Sequence, residues 1–292
     1  MKRVSKINGD SVFDFCNVIF MGLIVLITLY PFYFVIINSL NDPIDLIKGQ
    51  VFLLPRDFSI VSYQFVLRDE GILRAAYITV ARTFIGSLTA VLFTAAFAYG
   101  ISKKWLLGRR FFITVALITM YFSGGLIPTY ILIAQGLNLH GNFLVFIIPN
   151  LFNAFNAFIM LSFFRGISAE IEESAKIDGA NDIIIFFKLI LPISMSVIAT
   201  ITLFNGVSHW NSWFDALLYG GRELETLQLF LVRAIQSASV SPQASLFVST
   251  LSITSTSIRL TTMVITAFPI VLVYPFLQRY FVKGVMIGSI KG

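Results

Sequence analysis

Residues 142–192 read NFLVFIIPNLFNAFNAFIMLSFFRGISAEIEESAKIDGANDIIIFFKLILP. The opening run, Asn142–Phe164, is apolar and about as long as the roughly 20 residues a helix needs to cross a bilayer. Polarity then switches within a few residues to Glu170, Glu172, Glu173, Lys176 and Asp178, before the apolar run Ile183–Leu191 leads to Pro192. Ser168 is placed to cap a helix whose first turns carry the glutamates, where carboxylates meet the positive end of the helix dipole. Gly179 offers the positive φ at which such a helix stops. The pattern predicts two membrane spans joined by a helix–turn–helix elbow. Glu173, Ile177 and Ala180 fall at helical spacing on one edge, and Asp178 is a turn former that could cap the second half. Clustered glutamates argue against a lipid anchor, whose polar face favours Lys and Arg, and for docking to another protein.

Beyond the elbow, the same polarity contrast repeats along the chain. Apolar segments lie near Val12–Leu40, Leu73–Ser102, Phe111–Leu132, Asn142–Phe164, Ile193–Tyr219 and Leu260–Phe281. Composition agrees, because 57% hydrophobic and 12% charged residues leave too little polar surface to cover a water-soluble globule. The expected fold is therefore an all-α integral membrane protein of six spans. Residues 1–292 form one membrane domain, with a first span at about 12–40, a core bundle at about 73–281 and the elbow at 166–192. Pro128, Pro149 and Pro275 fit this reading, since neighbouring helices satisfy the carbonyls that proline frees. The first apolar stretch is too long for a secretory signal, whose apolar region runs roughly 7–15 residues. Cys16 is the single cysteine, which excludes a disulfide framework.

A net charge of +6 raises nucleic acid as a partner, but the basic residues sit in short clusters between apolar segments instead of along one stripe. Those clusters set the orientation. With the N-terminus inside, 13 of the 21 basic residues are cytoplasmic, among them Lys2, Arg3, Lys6, Lys103, Lys104, Arg109, Arg110 and Lys291. Seven, including Arg222, fall in or within a few residues of two long external segments at roughly 41–71 and 220–257, where the charge rule is weak. Both termini and the elbow are then cytoplasmic, and the external segments either contact a soluble partner or cap the bundle. Arg82 lies within the second span, where it could meet an acidic sugar. The preferred expectation is a carboxylate on a neighbouring chain, or a head that snorkels to the external surface.

Glu173-Ser-Ala175, Asp178-Gly179-Ala180 and Leu189-x-Leu191-Pro192 together resemble, spacing included, the EAA–glycine–I-x-L-P signature of bacterial ATP-binding-cassette (ABC) importer permeases. Ser174 and Leu189 are conservative departures from it. The run Trp210-Asn211-Ser212-Trp213 and the ending from Gln278 to Gly292 are similar to the carbohydrate-uptake branch, the ending above all to the smaller permease of the maltose-type transporter. Phe122-Ser-Gly-Gly-Leu-Ile-Pro-Thr-Tyr130 resembles a sub-branch associated with complex oligosaccharides and polysaccharides.

The resemblance implies that the elbow is the coupling helix, with Glu173, Ala175, Asp178, Gly179, Ala180, Leu191 and Pro192 forming the contact with an ATPase. Glu173 is expected to meet a basic group there. It also implies a second homologous permease, an ATPase dimer that carries ATP and Mg, and an extracytoplasmic solute-binding protein, all at a bacterial cytoplasmic membrane. This chain is then a transport subunit that binds no cofactor and no metal itself; the sequence contains no phosphate-binding loop and no H-E-x-x-H motif. For a sugar path, Asn205, His209 and Ser212 are expected on one face of the fifth span, beside Trp210, Asn211 and Trp213. Asn150, Asn153 and Asn156 are expected on the fourth. Such groups also hydrogen-bond between membrane helices, and Trp210 and Trp213 suit an interface belt. A secondary, ion-coupled carrier is the other transporter class, but its intramembrane acids are missing apart from Asp14 and Asp215 near span ends.

Overall fold

A computed structural model describes residues 9–221, 223–240 and 254–289. The basic residues Lys2, Arg3, Lys6, Arg222 and Lys291, and the middle of the second external segment, lie outside the described residues. In chain order the helices are α1 (Gly9–Ser39), α2 (Val61–Arg68), α3 (Glu70–Ser102), α4 (Arg109–Tyr121), α5 (Leu126–Ile131) and α6 (Ala154–Arg165). They continue with α7 (Ala169–Ile177), α8 (Asp182–Ile185), α9 (Leu191–Ile193), α10 (Met195–Asn211), α11 (Phe214–Tyr219), α12 (Leu227–Val240) and α13 (Ser255–Ser289). Among the described residues the one extended pairing is an isolated bridge between Asn41 and Phe58.

Among the described residues, three helices are long and apolar enough to cross a membrane: Phe13–Ser39, Glu70–Ser102 and Ser255–Val273. Three further pairs reach span length only across a bend, of 116° between Arg109–Tyr121 and Leu126–Gly136, 50° between Phe143–Asn150 and Ala154–Arg165, and 84° between Asp182–Ile193 and Met195–Asn211. The segments expected as the third and fourth spans are thus bent pairs, a third bent pair joins the second half of the elbow to the helix that opens the fifth, and each bend has a local cause. Ser123-Gly-Gly125 interrupts the first, with Gly125 at φ +84°. Asn153 starts α6 by accepting the Asn156 N–H at 3.0 Å, which closes off the turn containing Pro149. Ser194, following Pro192, separates α9 from α10, and α10 stops at Asn211 well before Tyr219.

The chain divides into two compact units, residues 1–69 with 233–267 and residues 70–232 with 268–292. In the first, α1 leaves its apolar window unburied. The second holds the core. Its one half packs Ala95, Ala98 and Tyr99 of α3 against Met160, Phe164, Phe186 and Ile201. The other half gathers Ile78, Val145, Phe146, Ala216, Tyr219 and Leu229. Helices α3 and α10 approach closely because Gly86 faces the His209 ring, where a Cβ would stand 2.6 Å from the imidazole. Gly86→Ala is therefore expected to destabilise the purified chain by about 1–3 kcal/mol, the usual cost of overpacking. Thermal unfolding in detergent would measure the loss, and His209→Ser in the same chain should restore most of it.

Candidate functional site

The elbow is built by local capping. Ser168 accepts the Glu170 N–H at 3.4 Å and starts α7, and Gly179 at φ +84° ends it. Two backbone bonds close that end: Gly179 N–H to the Lys176 carbonyl at 3.0 Å and Ala180 N–H to the Ala175 carbonyl at 2.9 Å, the double bond of a glycine-terminated helix. Asn181, not Asp178, caps the next helix by accepting the Ile184 N–H at 2.8 Å; Asp178 occupies the C-cap position of α7. The reason is spacing, because α8 begins at Asp182 and its cap must directly precede it.

Contacts divide the elbow into a held face and a free face. Ala175, Ala180, Leu189 and Leu191 pack half-buried on the core of α3, α6 and α10, so Ala180 does not share the outer edge with Glu173 as helical spacing predicted. The chain has already turned at Gly179. Pro192 is exposed in the first turn of α9. On the free face Glu173 is exposed and Ile177, one turn on, is 86% exposed. Glu173 and Ile177 therefore leave one edge of the elbow uncovered by the rest of the chain.

A second link was not anticipated. Lys103, just beyond the end of α3, forms an ion pair with Glu172 of α7 while its ammonium sits 3.9 Å from the centre of the Tyr99 ring. Both partners are largely shielded, and Tyr99 in turn packs on Phe164 and Phe186. Lys176 reaches Asp182 at 3.0 Å. The elbow is thus tied electrostatically to α3 as well as by packing. Sequence spacing gives no hint of a partner 69 positions away.

At the other end of α3, Arg82 is buried and paired within this chain to Asp215, at 2.5 Å and 3.2 Å through its two terminal nitrogens. It neither snorkels nor waits for a neighbouring chain, contrary to expectation. The cause is the break after Asn211: the chain turns at Ser212, and Asp215 in the first turn of α11 comes back onto α3. Ser212 supplies its carbonyl to Arg82 at 3.3 Å and its hydroxyl to Asp215 at 2.7 Å, and the Phe146 ring lies 4.2 Å from the guanidinium carbon. The sequence did contain the signal. Arg82 lies well inside a span and Asp215 is one of two acids near span ends, so charge balance narrows the partner to Asp14 or Asp215.

The residues proposed for a sugar path are not gathered into one pocket. Asn205, His209 and Trp210 are buried. The Asn205 amide donates to the Ile201 carbonyl at 2.9 Å, and Trp210 borders an apolar cavity of about 470 Å³ with Leu88, Val207 and Pro269. Ser212 lies past the end of α10, so the i, i+7 stripe stops at His209. Asn150, Asn153 and Asn156 straddle the bend and do not share a helix face: Asn150 ends a tight turn, Asn153 caps α6 and only Asn156 lies in that helix, where it is buried. Asn150, Asn153 and Asn211 are exposed, and Trp213 is half-buried against Phe214. Among the described residues no group of His, Cys, Asp and Glu stands ready to hold a metal ion.

No family model matches the chain. Curated relatives do. Protein LplC of Bacillus subtilis (strain 168) is 36% identical over 282 residues, covering 96% of this chain and 95% of LplC. The polygalacturonan/rhamnogalacturonan transport system permease protein YtcP of the same organism is 35% identical over 285 residues, covering 97% and 99%. Among solved structures, a chain of a bacterial ABC transporter involved in the import of the acidic polysaccharide alginate superposes with a TM-score of 0.87 at 33% identity, covering 94% of this chain and 99% of that one.

Proposed function

Since the chain belongs to the permease subunits of ABC sugar transporters, we propose that it imports an oligosaccharide or polysaccharide delivered by a solute-binding protein, by alternating access driven by partner ATPases. The observation that carries this reading is the near full-length match to a polysaccharide transport permease and to an alginate importer. The alginate importer is described as importing an acidic polysaccharide and the permease is named for polygalacturonan, a polymer of galacturonate, so a uronic-acid oligosaccharide is the first to try. The test is reconstitution with the cognate second permease, ATPase and binding protein in liposomes. Oligogalacturonide-loaded binding protein should stimulate ATP hydrolysis and uptake, whereas the absence of uptake with every sugar-loaded binding protein would overturn the reading.

In this proposal the three long helices, the bent pairs at 109–136 and 143–165, and α10 make six spans with both termini in the cytoplasm of a bacterial cell, supported by the distribution of Lys and Arg. Hydrolysis of ATP with Mg belongs to the ATPase subunits, and the elbow receives the resulting movement. Glu173 and Ile177 form the grip, Gly179 keeps the turn, and Ala175, Ala180 and Leu191 seat the elbow on the bundle. Asp178 and Pro192 shape its ends. Alternating access requires that the elbow bias two packings of the bundle, which in turn requires stiff links between them. The Lys103–Glu172 pair supplies one, from α7 directly to the end of α3. Lys103→Met is expected to remove about 1.5 kcal/mol of that link and lower uptake per ATP hydrolysed roughly tenfold, with hydrolysis itself maintained. Parallel uptake and phosphate-release assays would measure it; an unchanged ratio would assign the pair no part in coupling.

For the sugar itself, the exposed amides of Asn150, Asn153 and Asn211, each with one hydrogen bond to nearby backbone, and the half-buried ring of Trp213 are the groups with polar atoms or a face left to meet hydroxyls. Asn156, Asn205, His209 and Trp210 act through helix packing in this arrangement.

A further inference from the structure

The segment that follows α1 does not run straight away from it. Asn41 is bridged to Phe58 and its amide oxygen accepts the N–H groups of Arg56 and Asp57 at 2.8 and 3.1 Å, so the chain leaves and returns at one neck. Between these points it folds back along the helix. Asn38 exchanges two hydrogen bonds with Val51, at 2.7 and 2.9 Å, and the Phe52 ring packs 5.8 Å from that of Phe34. Deeper still, the Tyr30 hydroxyl donates to the Phe52 carbonyl at 3.4 Å and the Tyr33 hydroxyl to the Leu53 carbonyl. Helical side chains lean toward the helix N-terminus, so these hydroxyls reach away from the end at Ser39.

The depth follows from helix geometry. The apolar stretch Phe13–Ser39 has 27 residues. At 1.5 Å each that is about 40 Å, against about 30 Å of hydrocarbon, leaving roughly 5 Å of helix beyond the core at either end. Tyr30 lies about 13 Å back from Ser39 and therefore within the hydrocarbon. At that level the folded-back chain presents Phe52, Leu53 and Leu54, which are 63%, 75% and 74% exposed, followed by Pro55, which has no N–H to satisfy. Charge is confined to the neck. Arg56 binds Asp45 at 2.6 Å and also the carbonyls of Asp45 and Gly49, and Lys48 stands 3.5 Å from Asp45. The Asn41 amide and then Arg56 hold the Asp45 carboxyl below the usual carboxylate range.

We infer that residues 51–55 form an apolar finger that dips into the acyl region of the leaflet reached by the C-terminal end of α1, with lipid as its partner. Two observations select lipid over water. The exposed side chains at the tip are all apolar, and the carbonyls of Phe52 and Leu53 accept from tyrosines of the span, which removes two of the tip's backbone polar groups from those that lipid would leave bare. Charged residues at the neck lie where headgroups would meet them. The finger would brace the end of α1 within the membrane. The inference rests on reading α1 as a span.

The test uses the assembled transporter in lipid nanodiscs, with partner subunits free of cysteine and Cys16→Ser as background. Spin labels are attached at Leu53→Cys and, independently, Leu54→Cys, with Val25→Cys on α1 and Lys48→Cys as references. Collision with oxygen, which concentrates in acyl chains, is compared with collision with a water-soluble nickel chelate. At Leu53 and Leu54 the oxygen-to-nickel ratio should match that at Val25 and exceed that at Lys48 at least fivefold. A nickel-dominated signal at both tip positions would overturn the finger, and shielding from both reagents would assign the tip to a protein partner instead. A nickel-dominated signal at Val25 would remove the span itself, a failure distinct from that of the finger.

Discussion

In a reconstituted transporter carrying Glu173→Lys, sugar-stimulated ATP hydrolysis and uptake are expected to fall about thirtyfold or more, while the chain still inserts in the membrane. The magnitude follows from the place of the residue. Glu173 is exposed on the free face of the elbow, one turn before the bare Ile177, so a partner that covers Ile177 must also desolvate the carboxylate. A charge desolvated at an interface and then reversed costs about 2–5 kcal/mol, and 2 kcal/mol is already a factor of ~30. Glu172→Gln is the control. That residue faces Lys103 within the chain, so its loss should change uptake per ATP and leave ATPase binding intact. Gly179→Pro attacks the same elbow through its backbone: φ is +84° where proline demands about −65°, and the N–H bonded to Lys176 disappears. ATPase binding to the permease pair, measured by co-purification, should weaken in both variants. Normal coupling in Glu173→Lys and Gly179→Pro would end the assignment of this elbow as the grip.

The elbow was legible because its signals are local. Ser168 before three glutamates, and Gly179 before an apolar run, fix caps and turn within a dozen residues, and the structure has both. Helix existence was equally plain in hydropathy, since α1 and α3 need only length and composition. What hydropathy could not show was where apolar segments bend. Ser123-Gly-Gly125, Asn153 and Ser194 break helices without making them less apolar, so a window average passes over them. That blindness propagated to the proposed sugar path. The stripes of Asn150, Asn153 and Asn156, and of Asn205, His209 and Ser212, assumed unbroken helices, and each is cut by a bend. Partners distant in sequence were hardest. Lys103 with Glu172 requires knowing that α7 returns to the end of α3, and the finger requires knowing that residues 51–55 turn back along α1.

Arg82→Met alone is expected to destabilise the permease by about 3 kcal/mol or more, whereas Arg82→Met with Asp215→Leu should recover most of that loss. The asymmetry comes from desolvation. The Arg82 side chain is 1% exposed and that of Asp215 21%, so removing the guanidinium strands a largely shielded carboxylate with only the Ser212 hydroxyl and the Ala216 N–H to hold it. Breaking one half of a buried pair typically costs about 3–5 kcal/mol, while replacing both halves with apolar groups is near neutral or stabilising. Thermal unfolding of the purified single and double variants measures both terms. The same pair of variants separates a brace from a substrate contact. If Arg82 recognised an acidic sugar, the single variant would keep its stability and lose uptake, and the double variant would stay inactive. If the pair only pins α3 to α11 across the break at Ser212, the double variant should regain stability and uptake together. The full burial of Arg82, with its terminal nitrogens bonded to Asp215 and Ser212 and its Nε buried as well, leaves no exposed face for a sugar carboxylate and makes the second outcome the expected one.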